Sequence, residues 1–244
     1  MRTISDIRYG EHDKALLDLH LPEKNEFPVF IYFHGGGIEA GDKSVVEKSL
    51  NKTLTENGVA IVSANYRLYP NAKYPDFIRD CAAVCDWVKK HINEYGNATK
   101  IYVGGSSAGG YLSMMLCFDD RWLGEFGLSS NDFDGFVLDA GQPTSHFNVL
   151  REKGIDTRRV IVDETAPLYH VCGGKKYPDM LIIVSDDDMQ NRYEQTVLLT
   201  STLKHFGHQN YKLELMHGKH CQYVMTNDGN GVNIFGKLIL DFIN

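Results

Sequence analysis

The 244-residue sequence predicts an α/β fold in which a mostly parallel central sheet carries helices on both faces. Apolar, β-rich runs alternate along the chain with segments whose apolar residues recur every three or four positions. Several runs are apolar at every position, which is typical of strands buried on both faces of a sheet. Because no repeat or low-complexity linker divides the chain, we expect one domain over residues 1–244.

The predicted elements follow one another in a regular order. Strands are predicted at 15–21, 27–33, 59–64, 101–103, 136–138, 180–184 and 212–216. Helices are predicted near 46–54, at 77–95, from 108 to 116 and over the C-terminal 232–242. The segment 77–95 is the clearest helix, with an apolar stripe and a terminal Gly96 that can cap it.

Residues 142–178, between two predicted strands, do not fit the alternation of strands and helices. Their composition is mixed and charged, with a short helical pattern near 146–153. Two interpretations stay open for this segment: a small lid inserted over the edge of the sheet, or a long ordinary crossover that contains a helix.

Composition and charge exclude several classes of partner. A formal net charge of -7 argues against a nucleic-acid surface and against a polybasic membrane anchor. No apolar run is typical of a secretory signal or long enough to span a bilayer. The five cysteines are odd in number, so reduced thiols and a cytoplasmic location are expected. Cys81 and Cys85, four residues apart, are interpreted as core residues rather than half of a metal site.

Residues 105–110, Gly-Ser-Ser-Ala-Gly-Gly, contain the pattern G-x-S-x-G centred on Ser107. A serine hydroxyl becomes a useful nucleophile when it is exposed and a base removes its proton. A sharp turn from a strand into a helix exposes the serine, and it needs small residues two positions before and after, here Gly105 and Gly109. Ser106 has Ala108 at the second of these positions, so Ser107 is the predicted nucleophile.

A second glycine-rich loop, His34-Gly35-Gly36-Gly37, follows the strongest predicted strand. Glycines allow backbone N–H groups to turn inward, and two such groups could hold the oxyanion of a tetrahedral intermediate. The N–H of Ala108 would be a third donor. The alternative of a phosphate-binding loop is disfavoured, because neither G-K-[ST] nor G-x-G-x-x-G is present.

Such a serine requires an acid and a histidine later in the chain. Ser185-Asp186-Asp187-Asp188 follows one late predicted strand, and the loop offset favours Asp188 as the acid. His217-Gly218-Lys219-His220 follows the next strand, and His220 is favoured because its loop is long enough to reach Ser107. His217 remains the alternative.

Together these motifs resemble the esterase/lipase family related to hormone-sensitive lipase, and its small bacterial relatives among the carbohydrate and acyl esterases. The matching residues span most of the chain in the family's order: Tyr32 to Gly37, Gly41-Asp42-Lys43, Asn65 to Leu68, Pro70, Pro75, Asp80, Gly105 to Gly110, Asp188 and His220. The resemblance implies the α/β-hydrolase fold, oxyanion donors at Gly36, Gly37 and Ala108, and a bracing role for Asn65 to Arg67. Ser106, Ile38 and Cys221 depart from the family's usual residues.

The sequence therefore predicts a serine hydrolase with the triad Ser107, Asp188 and His220, which requires no metal or organic cofactor. The expected substrate is a small-molecule ester with a short acyl chain, with an acetylated sugar as one candidate. An amide or formamide hydrolase and a non-catalytic binding protein on the same fold are the alternatives. No nucleic-acid or membrane partner is expected, and a homodimer is left open.

Overall fold

The computed structural model describes residues 1–244 and contains one eight-stranded sheet in the order β1-β2-β4-β3-β5-β6-β7-β8. The strands are β1 (Arg2–Arg8), β2 (Leu16–Leu21), β3 (Glu26–Phe33), β4 (Ala60–Ala64), β5 (Asn97–Ser106), β6 (Gly135–Asp139), β7 (Asp179–Asp187) and β8 (Tyr211–Lys219). The helices are α1 (Asn51–Glu56), α2 (Asp76–His91), α3 (Ala108–Phe118), α4 (Asp120–Gly124), α5 (Phe147–Glu152), α6 (Arg192–His205) and α7 (Ile234–Ile243).

Six strands, β3 to β8, run in the same direction and pair in parallel with one another. Near one edge of the sheet, β2 pairs antiparallel with both of its neighbours, β1 and β4. The predicted α/β class with a mostly parallel sheet is therefore confirmed.

Two apolar clusters cover the two faces of the sheet. Successive side chains of β3 point to opposite faces of the sheet, so Ile31 belongs to one cluster and Phe30 to the other. Helices α2, α3 and α6 pack on the first face, and α1 and α7 pack on the second. Cys81 and Cys85 are wholly buried in the first cluster, as their place in the apolar stripe of α2 predicts. No helix combines the length and the apolarity that crossing a bilayer demands.

Several parts of the chain differ from the sequence prediction, and two helices, α4 and α6, were not among the predicted ones. The helix predicted near 46–54 divides into a 3-10 turn, Lys43–Lys48, and α1, because Ser49 leaves the helical conformation (φ -128°, ψ -83°). Val46, Leu50 and Leu54 are nevertheless all fully buried, so their spacing identified the inward face correctly. Strand β1 was not predicted; most of its residues are exposed and polar, which conceals the alternation of a strand.

Residues 142–178 connect β6 to β7 and contain α5 and a 3-10 turn, Pro167–His170. The segment is held against α3 by a hydrogen bond of 2.8 Å from the Tyr111 hydroxyl to the Thr165 carbonyl. Within it, the Ser145 hydroxyl donates to Asp163 at 2.8 Å. Asn148, on α5, donates from its side-chain amide to the carbonyl of Gly37 in the glycine loop after β3. The segment therefore packs beside the carboxyl end of the sheet.

Candidate active site

The predicted site residues all follow strands whose carboxyl ends meet at one edge of the sheet. Ser107 comes directly after β5, Asp188 after β7 and His220 after β8. These strands run parallel within one sheet, so the three residues emerge on the same side. The carboxyl edge of an open α/β sheet is where such folds place their sites.

Ser107 lies in a strained turn between β5 and α3, with φ 57° and ψ -113°. Positive φ is uncommon for a residue with a Cβ, and such strain concentrates at functional positions. The turn is possible because its flanks are glycines. A Cβ on Gly105 would lie 2.5 Å from the Phe33 carbonyl oxygen, and one on Gly109 would lie 1.9 Å from the same atom. The two glycines therefore let α3 approach β3 closely behind the serine.

Ser107, His220 and Asp188 form a continuous hydrogen-bonded chain. Nε2 of His220 lies 2.8 Å from the Ser107 Oγ, and its Nδ1 lies 2.5 Å from Oδ1 of Asp188. Asp188 also accepts from the backbone N–H of Met189 at 2.7 Å. Burial by itself raises the pKa of Asp188, but the hydrogen bond and the charge of His220 outweigh it and lower the pKa below its ordinary value. The acid is thereby held ionised beside the imidazole.

The alternative acid and histidine form a separate pair. Nδ1 of His217 lies 2.6 Å from Asp186, and the His217 side chain is 90% exposed. Asp187 faces solvent and lies 3.5 Å from the Lys219 ammonium. Of the two candidate histidines, only His220 reaches Ser107.

The glycine loop presents backbone N–H groups beside the serine. Gly36 and Gly37 both have positive φ, 113° and 65°, and neither N–H donates a hydrogen bond within the protein. Gly35 fixes the loop against the serine, since a Cβ on Gly35 would lie 3.2 Å from Cβ of Ser107. Ala108 is the first residue of α3, where the N–H has no acceptor within the helix. The N–H groups of Gly36, Gly37 and Ala108 are thus left without an acceptor within the protein.

Aromatic and polar side chains hold the glycine loop and its neighbouring residues in place. The ring of His34 stacks on Tyr66 with centroids 4.4 Å apart, and the Tyr66 hydroxyl donates to the His34 carbonyl at 2.7 Å. Burial lowers the pKa of His34, which keeps this imidazole neutral. Asn65 accepts from the backbone N–H of Lys43 at 2.8 Å, and Arg67 pairs with Asp80 at 2.7 Å.

One buried acid beside the site was not predicted from the sequence. Asp139 ends β6, is fully buried, and accepts from the hydroxyl of Tyr223. Its carbonyl accepts from the Ser107 N–H at 2.8 Å. Burial raises the pKa of Asp139 to about 6, against the opposing effect of hydrogen bonds from Ser106 and Tyr223. The available signal was its position, directly after the predicted strand 136–138.

A cavity of about 360 Å³ opens beside the serine. It is bounded by the glycine loop and by His220 and Cys221. Its apolar wall comes from four further side chains, Tyr32, Val45, Val224 and Met225. The space is concave, largely apolar and adjacent to a nucleophile, which is typical of a small-molecule site.

The fold is shared with solved esterase structures. A truncated carbohydrate esterase from gut microbiota superposes with a TM-score of 0.81, at 21% sequence identity over 99% of this chain and 95% of that one. Esterase B from Lactobacillus rhamnosis superposes with a TM-score of 0.79, at 21% identity over 99% of this chain and 85% of its own. This chain has the α/β-hydrolase fold.

Sequence comparison finds relatives for the part of this chain that carries the glycine loop and Ser107. The BD-FAE family model matches residues 17–137. The esterase LipI of Mycobacterium tuberculosis is 35% identical over 104 residues, 42% of this chain and 32% of its own length. An acetyl esterase of Salmonella schwarzengrund is 31% identical over 97 residues, 39% of this chain and 30% of its own.

The matched region spans about a third of the curated relatives' own length. The BD-FAE match over residues 17–137 includes the motifs of the predicted resemblance from Tyr32-Phe33-His34 to Gly110, but not Asp188 or His220. The predicted resemblance to the esterase/lipase family is therefore confirmed.

Proposed function

We propose that this α/β hydrolase is a carboxylesterase-type serine hydrolase in which Ser107 is the nucleophile, His220 the general base and Asp188 the acid of the triad. The observation that carries the proposal is the hydrogen-bonded chain from Ser107 Oγ through the His220 ring to Asp188. The names of the relatives, which are esterases, support the same activity.

In the proposed reaction, His220 takes the hydroxyl proton of Ser107 as the serine oxygen attacks the ester carbonyl carbon. Asp188 orients the imidazole and stabilises its positive charge. The carbonyl oxygen, now negative, receives hydrogen bonds from the N–H groups of Gly36, Gly37 and Ala108. Each such donor typically contributes about 3 kcal/mol, or roughly a hundredfold in rate.

The tetrahedral intermediate then breaks its bond to the alcohol oxygen, which takes the proton from His220 and leaves. Water, deprotonated by the same imidazole, attacks the acyl-serine and forms a second tetrahedral intermediate. Its collapse releases the carboxylic acid and returns the proton to Ser107. The whole sequence uses only groups of this chain and water.

Short acyl chains, from acetyl to butyryl, are the proposed substrates. The cavity of about 360 Å³ beside Ser107 has room for a small group. Solved neighbours of the same fold are described as propionate-bound and butyrate-bound esterases. Another is described as a carbohydrate esterase, which makes an acetylated sugar a specific candidate for the natural ester.

The proposal is tested with p-nitrophenyl acetate and butyrate and with a fluorophosphonate probe that labels activated serines. Ser107→Ala and His220→Ala are expected to lower kcat by about 10⁴-fold or more. Ser107→Ala is also expected to abolish labelling. A parallel panel of anilides of the same acids, together with an aryl formamide, measures the preference for esters over amides.

The chain offers two matched controls. Ser106→Ala removes the neighbouring hydroxyl and should leave the probe labelling intact. His217→Ala removes the exposed histidine paired with Asp186 and should leave kcat within about twofold. Equal hydrolysis rates for wild type and Ser107→Ala, or loss of activity in His217→Ala rather than His220→Ala, would overturn the assignment.

A further inference from the structure

A second cavity, of about 390 Å³, shares no lining residue with the cavity beside Ser107. Two of its residues connect it to the site. Phe147, on α5, is the residue whose ring would lie 3.0 Å from a Cβ on Gly37 of the glycine loop. Met189 directly follows Asp188 and donates its backbone N–H to that carboxylate at 2.7 Å. The cavity is therefore placed between the oxyanion loop and the loop of the catalytic acid.

The charge of this cavity is opposite to that of the chain. Its lining contains Arg158, Arg159 and Arg192 and no acidic residue, although the chain carries a formal net charge of -7. The remaining polar lining consists of a threonine and amide side chains. Gln142 already donates both of its amide hydrogens within the protein, whereas the amide groups of Gln190 and Asn191 form no hydrogen bond there. Amide and guanidinium N–H groups are donors, which suits a ligand that presents oxygen acceptors.

Arg192 is a buried cation without a carboxylate partner. Its residue is 5% exposed, it forms no ion pair, and its one hydrogen bond goes to the carbonyl of Ala140. Burial lowers the pKa of its guanidinium below the ordinary value, against a weaker opposing effect of Asp188, whose carboxylate is already engaged by His220. An unpaired buried charge is costly, and an anion bound in the cavity would offset that cost.

The two exposed arginines of the cavity, Arg158 and Arg159, differ in whether a carboxylate of the protein already pairs with them. The guanidinium of Arg158 pairs with Asp156 at 2.6 Å and the side chain is 87% exposed, so its charge is satisfied and directed to solvent. Arg159 is exposed and its guanidinium forms no ion pair and no hydrogen bond within the protein. Arg159 and Arg192 therefore supply the available positive charge.

We propose that this cavity binds a carboxylate group carried by the ester substrate, held by Arg159 and Arg192. A planar guanidinium matches the two oxygens of a carboxylate, and the amides at the wall supply further donors. The inference rests on the proposed esterase function and narrows its substrate class. The favoured ester is one whose acyl or alcohol part ends in a carboxylate.

The test uses ester pairs that differ only in charge: 4-acetoxybenzoate against its methyl ester, and mono-p-nitrophenyl glutarate against p-nitrophenyl valerate. The first pair carries the anion on the alcohol side and the second on the acyl side. For the pair that fits, the ratio of kcat/KM between the anionic and the neutral ester should fall about tenfold in Arg159→Glu. Lys90→Glu, which makes the same change of charge on α2 at a residue that lines neither cavity, should alter the ratio by no more than about twofold.

A second measurement does not depend on turnover. In the Ser107→Ala protein, titration calorimetry with glutarate and with 4-hydroxybenzoate should show binding of one of them, weakened about tenfold by Arg159→Glu. Equal ratios and equal binding in the Lys90→Glu and Arg159→Glu proteins would overturn the inference. If the neutral esters are still hydrolysed by these variants in a Ser107-dependent way, the esterase function stands without it.

Discussion

Gly109 stands where α3 passes closest to β3, two residues after Ser107. A Cβ at this position would lie 1.9 Å from the carbonyl oxygen of Phe33 and 2.6 Å from its carbonyl carbon. Both are backbone atoms of a central strand, so they cannot move aside as the end of a flexible side chain would. The second glycine of G-x-S-x-G is therefore required by packing as well as by the shape of the turn.

We expect Gly109→Ala to lower the free energy of unfolding by about 3 kcal/mol or more, because the added methyl group forces α3 away from β3. The measurement is urea unfolding followed by circular dichroism. Gly124→Ala is the matched control: Gly124 ends α4 and nothing lies within 4 Å of its Cβ position. There the alanine should raise stability by up to about 1 kcal/mol. Similar effects at the two glycines would contradict the packing argument.

At the scale of residues, the sequence predicts much of the candidate site because its members follow strands. The motif around Ser107, the glycine loop, Asp188 and His220 can each be placed after an apolar run. The structure joins Ser107, His220 and Asp188 by hydrogen bonds and packs Gly35 of the glycine loop against Ser107. The sequence alone does not decide between the two candidate histidines, His217 and His220. His217 has its own aspartate, Asp186, at 2.6 Å, and spacing along the chain does not separate two such pairs.

Helix α5 acts on the glycine loop through Asn148. The Asn148 side-chain amide donates to the Gly37 carbonyl, and its own oxygen is buried without a partner. The Gly37 carbonyl belongs to the same loop whose N–H groups are proposed to hold the oxyanion. Asn148 is therefore a positioning residue: it touches the loop rather than the substrate.

Asn148→Ala should lower kcat about tenfold, equivalent to about 1.4 kcal/mol of barrier, because the loop loses the bond that fixes its oxyanion donors. KM should change by less than about twofold, since the cavity beside Ser107 keeps its lining. Steady-state kinetics with p-nitrophenyl butyrate separate the two constants. Lys153→Ala is the control, because Lys153 follows α5 and only pairs with exposed Asp163 at 2.9 Å. An unchanged kcat in Asn148→Ala would exclude the positioning role.

At the scale of elements, what the sequence misses has physical reasons. Strand β1 is an edge strand with mostly exposed residues, so it has no buried face to produce a hydrophobic pattern. The break at Ser49 leaves the spacing of Val46, Leu50 and Leu54 intact, because a 3-10 turn followed by a short helix buries the same side chains. Contacts made across the molecule, such as that of Asn148 with Gly37, have no local signature.

For the molecule as a whole, buried ionisable groups set how stability depends on pH. Asp139 has a folded pKa of about 6, above the 3.8 of an unperturbed aspartate. Between these values the folded protein holds a proton that the unfolded chain has lost, so this group makes stability fall as pH rises from about 4 to about 6. Burial lowers the pKa of His34, and that of His146 to about 3, so these histidines act in the opposite direction as pH falls below about 6.5. The two effects overlap in one window, and the measured curve is their sum.

The substitution Asp139→Asn separates the contribution of Asp139 to the pH dependence of stability from that of the histidines. The asparagine oxygen can still accept from the Tyr223 hydroxyl, but it does not ionise, so the mutant loses only the contribution of the titrating acid. A shift of about two pKa units corresponds to about 3 kcal/mol. The free energy of unfolding of the mutant minus that of wild type should therefore rise by about 3 kcal/mol between pH 4 and pH 7.

Urea unfolding of both proteins at pH 4, 5, 6 and 7 gives this difference directly, with the histidine contributions cancelling. A difference that stays constant across the window would mean that Asp139 is already ionised at pH 4, and that its burial beside Ser107 is compensated by the hydroxyls around it.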